Sequence, residues 1–398
     1  MEYQFSPRVQ QASSYAAHER RRTVLGRNVI SFVDELPAGA LLPKEAIREA
    51  EMKAATGWGA GTPLHRGVGS YGYEPFRETI ATRMAARGMP TSNEQVIATT
   101  GVQHAVDAAA RALTVPGDAV LVETPTNPSV LRTFAMNGLH VIATGIDGSG
   151  IDLEDAERLI LSHQPKMIYT VPTFGAPAGQ SWSLERRQGL IDLARTYGVP
   201  IIEDDSNRDL SYQEQVQYPA LYTLAGSAGG VLYLNTFAGV LPELRIGWAA
   251  GDSGLIASMS DVIGSSGTGA SVYEQRLLCG LLKSIDLDAH IRKLAFCYSQ
   301  RMSRLTRLLE ENGPAGLEWD VPLGGSSLWL RLPDGLEGEA LLRGALRKEV
   351  AFEPGTAFFA GNPQCNTARL SVSSIADNQL ERGVKLFLET IGEFTARS

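Results

Sequence analysis

The chain has too few cysteines for a disulfide framework or a structural zinc site. Cys279, Cys297 and Cys365 are spread through 398 residues, odd in number and with no C-x-x-C pair, so reduced thiols are expected. The six histidines are scattered without ligand spacing. Basic residues are the minority charge, Lys+Arg 36 against Asp+Glu 44, leaving a net charge of −8. Such a chain lacks the positive surface that nucleic acid or an anionic membrane requires, so neither is an expected partner. No apolar run reaches the ~18 residues of a membrane-spanning helix. The Met1-Glu-Tyr-Gln-Phe-Ser6 start has no basic-then-apolar leader pattern, and a cytoplasmic protein is expected.

What is present reads as an ordinary globular protein. Hydrophobic residues make up 43% and charged residues 20%, which supplies a sizeable core and excludes disordered or fibrous classes. The length suggests roughly two to three units. An arginine run, Glu19-Arg-Arg-Arg-Thr23, reads as a solvated or interface-facing helix end. From residue 74 the pattern alternates. Glu74–Arg87 has helical spacing, with Pro75 in its first turn and Gly88 as its stop. Short β-rich runs follow at 95–98, 119–123, 139–143, 167–171, 200–203, 231–235 and 246–250, with helices expected at 102–113, 153–161 and 183–197. Several runs are apolar at consecutive positions, as in strands covered on both faces. This alternation predicts an α/β unit with a mostly parallel, seven-stranded sheet flanked by helices. After about residue 285 the texture changes to helices at 288–312, 338–348 and 376–395 around a strand at 368–372. A smaller α+β unit is expected there, completed by the N-terminal segment. The expected division is 1–45 (N-terminal segment), 46–285 (large α/β domain) and 286–398 (small domain).

Four segments converge under this reading. Thr99-Thr-Gly101-Val-Gln103 follows a strand and opens a helix, so its amides form a natural phosphate site. Pro172-Thr-Phe-Gly-Ala176-Pro-Ala-Gly179 follows a second strand. Ile201-Ile-Glu203-Asp204-Asp205 puts carboxylates at the end of a third. Leu234-Asn-Thr236-Phe-Ala238-Gly239-Val-Leu-Pro242-Glu-Leu-Arg245 places a hydroxyl and an arginine after a fourth. Ligands bind outside the carboxyl ends of parallel strands, so one crevice is expected. Gly67-Val-Gly69-Ser-Tyr-Gly72 spells G-x-G-x-x-G, but no strand precedes it, and it reads as a glycine-rich loop rather than a dinucleotide site.

In this order the segments resemble fold type I pyridoxal-phosphate (PLP) enzymes, specifically class I/II aminotransferases and the aminotransferase domain of MocR-type regulators. Tyr71–Arg77, Pro116-Gly-Asp118, Glu123-Thr-Pro-Thr-Asn127-Pro128, Gly324-Gly325 and Ala368-Arg369-Leu370 also fall in register. The resemblance implies a phosphate cup from Gly101, Val102, Gln103, Thr236 and Arg245. It implies Asp204 as partner of the pyridinium nitrogen, Arg369 as the grip on a substrate carboxylate, and a homodimer. Asn127 and Ala176 stand where the family places residues against the cofactor ring.

The sequence departs from the family at its centre. Aligned from Thr236-Phe237, the family's Schiff-base lysine falls on Gly239; counted back from Arg245, it falls on Ala238. The chain's seven lysines, 44, 53, 166, 283, 293, 348 and 385, lie in other segments. The ring-contacting asparagine is Ala176, the ring-covering aromatic is Asn127, and the tyrosine after the aspartate is Ser206 or Asn207. The tyrosine lent by a partner subunit falls near Gly67, beside His65 and Arg66. The leading expectation is an atypical enzyme that binds PLP, pyridoxamine phosphate (PMP) or a preformed aldimine noncovalently and acts on an amino-acid-like or carboxylated intermediate. Asp204, His65 and Asn207 are the acid–base candidates, and Arg66 joins Arg369 at the substrate. The alternatives are a cofactor-free enzyme reusing the cleft, a non-catalytic ligand-binding protein, and an ordinary aminotransferase whose lysine has been replaced by mutation.

Overall fold

A computed structural model describes residues 3–15, 28–56, 69–213, 219–242 and 244–396. The arginine run, His65, Arg66 and Gly67 lie outside them. The strands, in chain order, are β1 (Ile30–Ser31), β2 (Val96–Thr99), β3 (Ala119–Thr124), β4 (His140–Asp147), β5 (Gly150–Ile151), β6 (Met167–Thr170), β7 (Thr173–Gly175), β8 (Gln180–Ser181), β9 (Ile201–Asp204), β10 (Val231–Thr236) and β11 (Gly247–Ala250). The C-terminal part adds β12 (Glu318–Trp319), β13 (Ser327–Arg331), β14 (Val350–Ala351), β15 (Glu353–Pro354) and β16 (Thr367–Ser371).

Alternate side chains of the central strands feed two separate cores, which is why these runs read as continuously apolar. Val120, Val122, Met167, Tyr169, Ile202 and Leu232 join one cluster, while Leu121, Ile168, Ile201 and Val231 join the other. The sheet order is β2-β11-β10-β9-β6-β3-β4-β5. The β10-β9-β6-β3-β4 block is parallel, and β11 runs antiparallel to both of its neighbours. All seven expected strands form. The eighth, β5, is a two-residue return of β4 that carries no hydrophobic run to announce it.

The Val102–Leu113 helix lies where expected, and its buried Ala105, Ala108, Ala109 and Ala110 let it sit close to the sheet. Ser183 caps Leu184–Tyr197 by accepting from Arg186 N, and Gly198 ends that helix in the left-handed region, φ 65°. The helices Ser253–Ser266 and Val272–Ser284 were not expected. The first is rich in serine and glycine, poor helix formers, and it holds through Asp252 capping and burial of Ile256, Met259 and Ile263. No described helix is long and apolar enough to cross a membrane.

Downstream, β12-β13-β16-β15 form an antiparallel sheet. The helices Leu287–Asn312, Gly338–Arg347 and Asp377–Thr395 pack around it. Buried Arg301 ties two of these elements by donating to the Val372 and Ser373 carbonyls and pairing with Asp377. The N-terminal segment joins this part: β1 pairs in parallel with β14, and Ser371 N donates to Phe32 O.

Candidate functional site

The direction of the parallel strands puts the ends of β2, β3, β6, β9 and β10 on one edge, and the predicted residues meet there. After β2 the chain turns at Gly101, whose φ of 114° is open to glycine and strained for other residues. Gly101 is the N-cap of Val102–Leu113, and no side chain caps that end. Amides therefore point outward at the positive end of the helix dipole. Thr100 N is taken by His104 Nδ1 at 3.1 Å, and burial pushes the His104 imidazole below its usual range. Gly247, opening β11, lets the strand approach: a β-carbon there would stand 2.9 Å from Gly101 Cα and 2.7 Å from Asn235 O. Thr236, at the end of β10, donates to Ile246 O at 2.9 Å and accepts from Ala238 N at 3.1 Å. This holds the turn that carries Gly239. Arg245 is exposed at its rim.

Asp204 ends β9 and is 4% exposed. Its carboxylate accepts from Tyr169 Oη and from Ser206 Oγ, both at 2.7 Å, and from Ser206 N at 3.1 Å. Burial raises its pKa, and the Ser206 and Tyr169 hydrogen bonds oppose the rise. These donors are neutral, so they fix the aspartate in place without cancelling its charge. Asp205 pairs instead with Arg208. Asn207 donates to Phe174 O at 3.0 Å, and Ala176 sits in the turn between β7 and β8. Glu123, near the end of β3, accepts from Val171 N at 2.7 Å. Burial pushes its carboxyl up to about 8.

Two predicted residues are otherwise occupied. Asn127 is the N-cap of the Pro128–Met136 helix, accepting from Ser129 N at 2.9 Å. Arg369 in β16 is buried, and its guanidinium is held by Glu35 and Glu353 and by Val33 O at 2.7 Å. Burial works against this charge, and the two glutamates outweigh it, so the guanidinium is held above its ordinary value. Arg369 is thus engaged from inside the protein. A grip on a substrate carboxylate requires one of these acids to yield. Phe358 covers the guanidinium, with 5.5 Å from its ring centroid to the central carbon, and its carbonyl accepts from Thr126 N. This links Arg369 to the loop after β3.

Tyr169, Glu35 and Glu353 escaped the sequence reading, and Ser206 was read only as the replacement of a tyrosine, not as a donor to Asp204. Tyr169 is hidden within an apolar strand. Glu353 had a signal, an acid interrupting Val350-Ala-Phe352, which foretells a buried charge and hence a partner.

Of the lysines, Lys166 precedes β6, at the edge of the sheet opposite the site. Lys53 pairs with Glu49, and Lys348 with Glu389 and Glu393. Lys44, Lys283, Lys293 and Lys385 lie on helices outside the 236–245 turn. Among the described residues no cluster of three or more His, Cys, Asp or Glu is arranged to hold a metal ion.

Residues 33–387 match the family described as aminotransferase class I and II. An aromatic-amino-acid aminotransferase of Thermococcus litoralis is 32% identical over 373 residues, covering 92% of this chain and 88% of its own length. Among solved structures, the alpha-aminoadipate aminotransferase of Thermus thermophilus, complexed with N-(5'-phosphopyridoxyl)-L-leucine, superposes with a TM-score of 0.91 at 27% identity, covering 99% of this chain and 98% of its own. The kynurenine aminotransferase of Pyrococcus horikoshii, in complex with PMP, gives 0.90 at 31% identity, with 98% and 97% coverage. The strand order, the uncapped helix start at Gly101, the buried Asp204 and these likenesses agree, and the chain belongs to the class I and II aminotransferase family of PLP-dependent fold type I.

Proposed function

We propose that the cleft binds PLP or PMP noncovalently and that the chain is an aminotransferase-type enzyme working without the covalent lysine anchor. The observation that carries this reading is Asp204, a buried carboxylate held by neutral donors and set across the sheet edge from an uncapped helix start. The donor set suits the group. Amides of Gly101, Val102 and Gln103, the Thr236 turn and Arg245 suit a phosphate dianion. Asp204 suits a pyridinium nitrogen, because an incoming cation favours the ionised form that burial disfavours. Bound PLP supplies an electron sink for the substrate's α-carbon.

Ala238 and Gly239 offer no amine, so the chain's own part is binding and orientation. With both oxygens held by Tyr169 and Ser206, Asp204 serves as a fixed charge rather than a proton carrier, and the amide of Asn207 is no base. That leaves His65 of the three acid–base candidates. In this reading Asn127 and Ala176 border the ring, Arg369 serves the substrate, and Arg66, outside the described residues, is assigned to the substrate by its place in the sequence alone. The division at 45 and 285 and a homodimeric assembly complete the reading, with the β1–β14 pairing supporting attachment of the N-terminal segment to the small domain.

A second reading, ordinary transamination of an amino acid, is favoured by the names of the relatives. Spectrophotometric titration with PLP and PMP tests both. Noncovalent binding predicts saturable uptake by the wild type, loss in Asp204→Asn, and a new imine absorbance band in Gly239→Lys or Ala238→Lys. Failure of the wild type to bind either form overturns the proposal. Steady transamination by the unaltered chain decides for the second reading.

A further inference from the structure

Two cavities of about 410 and 470 Å3 adjoin where the eight-stranded sheet meets the C-terminal antiparallel sheet, and both are lined by Gln180, Trp329 and Gln364. They form one groove. Strand register sets its C-terminal wall. Glu318 pairs with Arg331, Arg331 with Thr367 and Trp329 with Arg369, so alternation puts these side chains on one face. The groove thus runs along the face that carries Arg369, and half-buried Trp329 stands beside that arginine. Thr124 and Pro125, where β3 ends, form the opposite wall. Phe358 and Phe359 pack against Trp329 with ring centroids at 5.3 and 6.2 Å, which fixes the indole. Around it stand three primary amides, those of Gln180, Asn362 and Gln364. Gln180 Nε2 donates to Asp320 at 3.3 Å, while its Oε1 has no partner. An amide donates and accepts, as a hydroxyl does, so the two match in either direction. An anion is disfavoured. Arg331 is the one cation among the described residues of this lining; Glu318 stands 3.7 Å from it, and Asp320 adds a second acid. A fixed indole bordered by amides suits a saturated ring with C–H bonds on one face and hydroxyls at its rim.

We propose that this groove binds a neutral, hydroxyl-rich ring, a pyranose or cyclitol, beside the cleft and independently of any cofactor there. Trp329 takes the C–H face of the ring, and the amides of Gln180, Asn362 and Gln364 take its hydroxyls. Saturation-transfer NMR titrations test it with methyl β-D-glucopyranoside, myo-inositol and methyl β-D-glucuronide, the last a matched anion. The expected result is saturable binding of a neutral probe with a Kd of about 1 mM. The glucuronide is expected to bind about tenfold more weakly. Asn362 and Gln364 are exposed, so the double variant Asn362→Ala/Gln364→Ala keeps the fold, as thermal unfolding checks. It weakens the neutral probe about tenfold. Glu318→Gln leaves Arg331 without its acid and brings the glucuronide up to the glucopyranoside. Absence of saturable binding by both neutral probes overturns the proposal. So does a glucuronide that binds the wild type as tightly, or a folded double variant that binds as the wild type does. PMP uptake is read in a separate titration, so each of these failures leaves the cofactor reading standing.

Discussion

Replacing Glu123 by glutamine isolates one buried acid at the site. Burial lifts its carboxyl from an ordinary 4.5 to about 8. Between those values the folded protein keeps a proton that the unfolded chain releases, so unfolding releases protons and stability falls as pH rises. The penalty is absent below about 4.5 and complete above about 8. At 1.36 kcal/mol per pH unit it reaches on the order of 5 kcal/mol. The glutamine amide of the Glu123→Gln variant has no proton to lose and retains an oxygen to accept from Val171 N. Urea unfolding of both proteins at pH 5, 6, 7 and 8 therefore shows the variant gaining on the wild type, by up to about 1.4 kcal/mol per pH unit. Asp204 and Asp205 are present in both, so subtraction removes most of their effect. Parallel stability curves, or a wild type that gains on the variant as pH rises, would refute the buried-acid argument.

Two further substitutions probe the same edge. Gly247→Ala puts a methyl 2.7 Å from Asn235 O and 2.9 Å from Gly101 Cα; a loss of about 1–3 kcal/mol with weakened PMP uptake is expected, read by thermal melting and titration, and a variant matching the wild type in both removes the close-approach argument. Tyr169→Phe deletes the 2.7 Å phenol donor to Asp204; it is expected to cost about 1–3 kcal/mol in urea unfolding at pH 7, and a neutral result would show that Asp204 does not depend on that bond.

The sheet was legible because its strands are buried on both faces. Ala119–Glu123 is apolar until its last residue, so it could be read without a partner. The positions of Gly101 and Asp204 were legible for a related reason: each stands where a strand gives way to a turn, while the roles given to them came from the resemblance. The Ser253–Ser266 helix was not, because its cap and buried face outweigh weak propensity only once the sheet is there to pack against. Asn127 has a role that the sequence did not show. Its place in a motif suggested a ring contact, and in the fold its side chain also caps the helix that follows. The hardest feature was Arg369. One guanidinium draws on Glu35 and Glu353, acids that no spacing rule joins, and their meeting depends on the whole chain being folded.

That meeting has a consequence for how the protein is made. Val33 and Arg369 lie 336 positions apart, and at roughly 5–20 residues per second a ribosome delivers the arginine some 20 to 70 s after the valine. During that interval the strip around Ile30–Glu35 has no permanent neighbour and must be kept from sticking to nascent surfaces. Closure of the C-terminal half is therefore a late event in biosynthesis, and lesions in this short strip should depress yield of soluble protein from cells more than they depress the melting temperature of what is recovered.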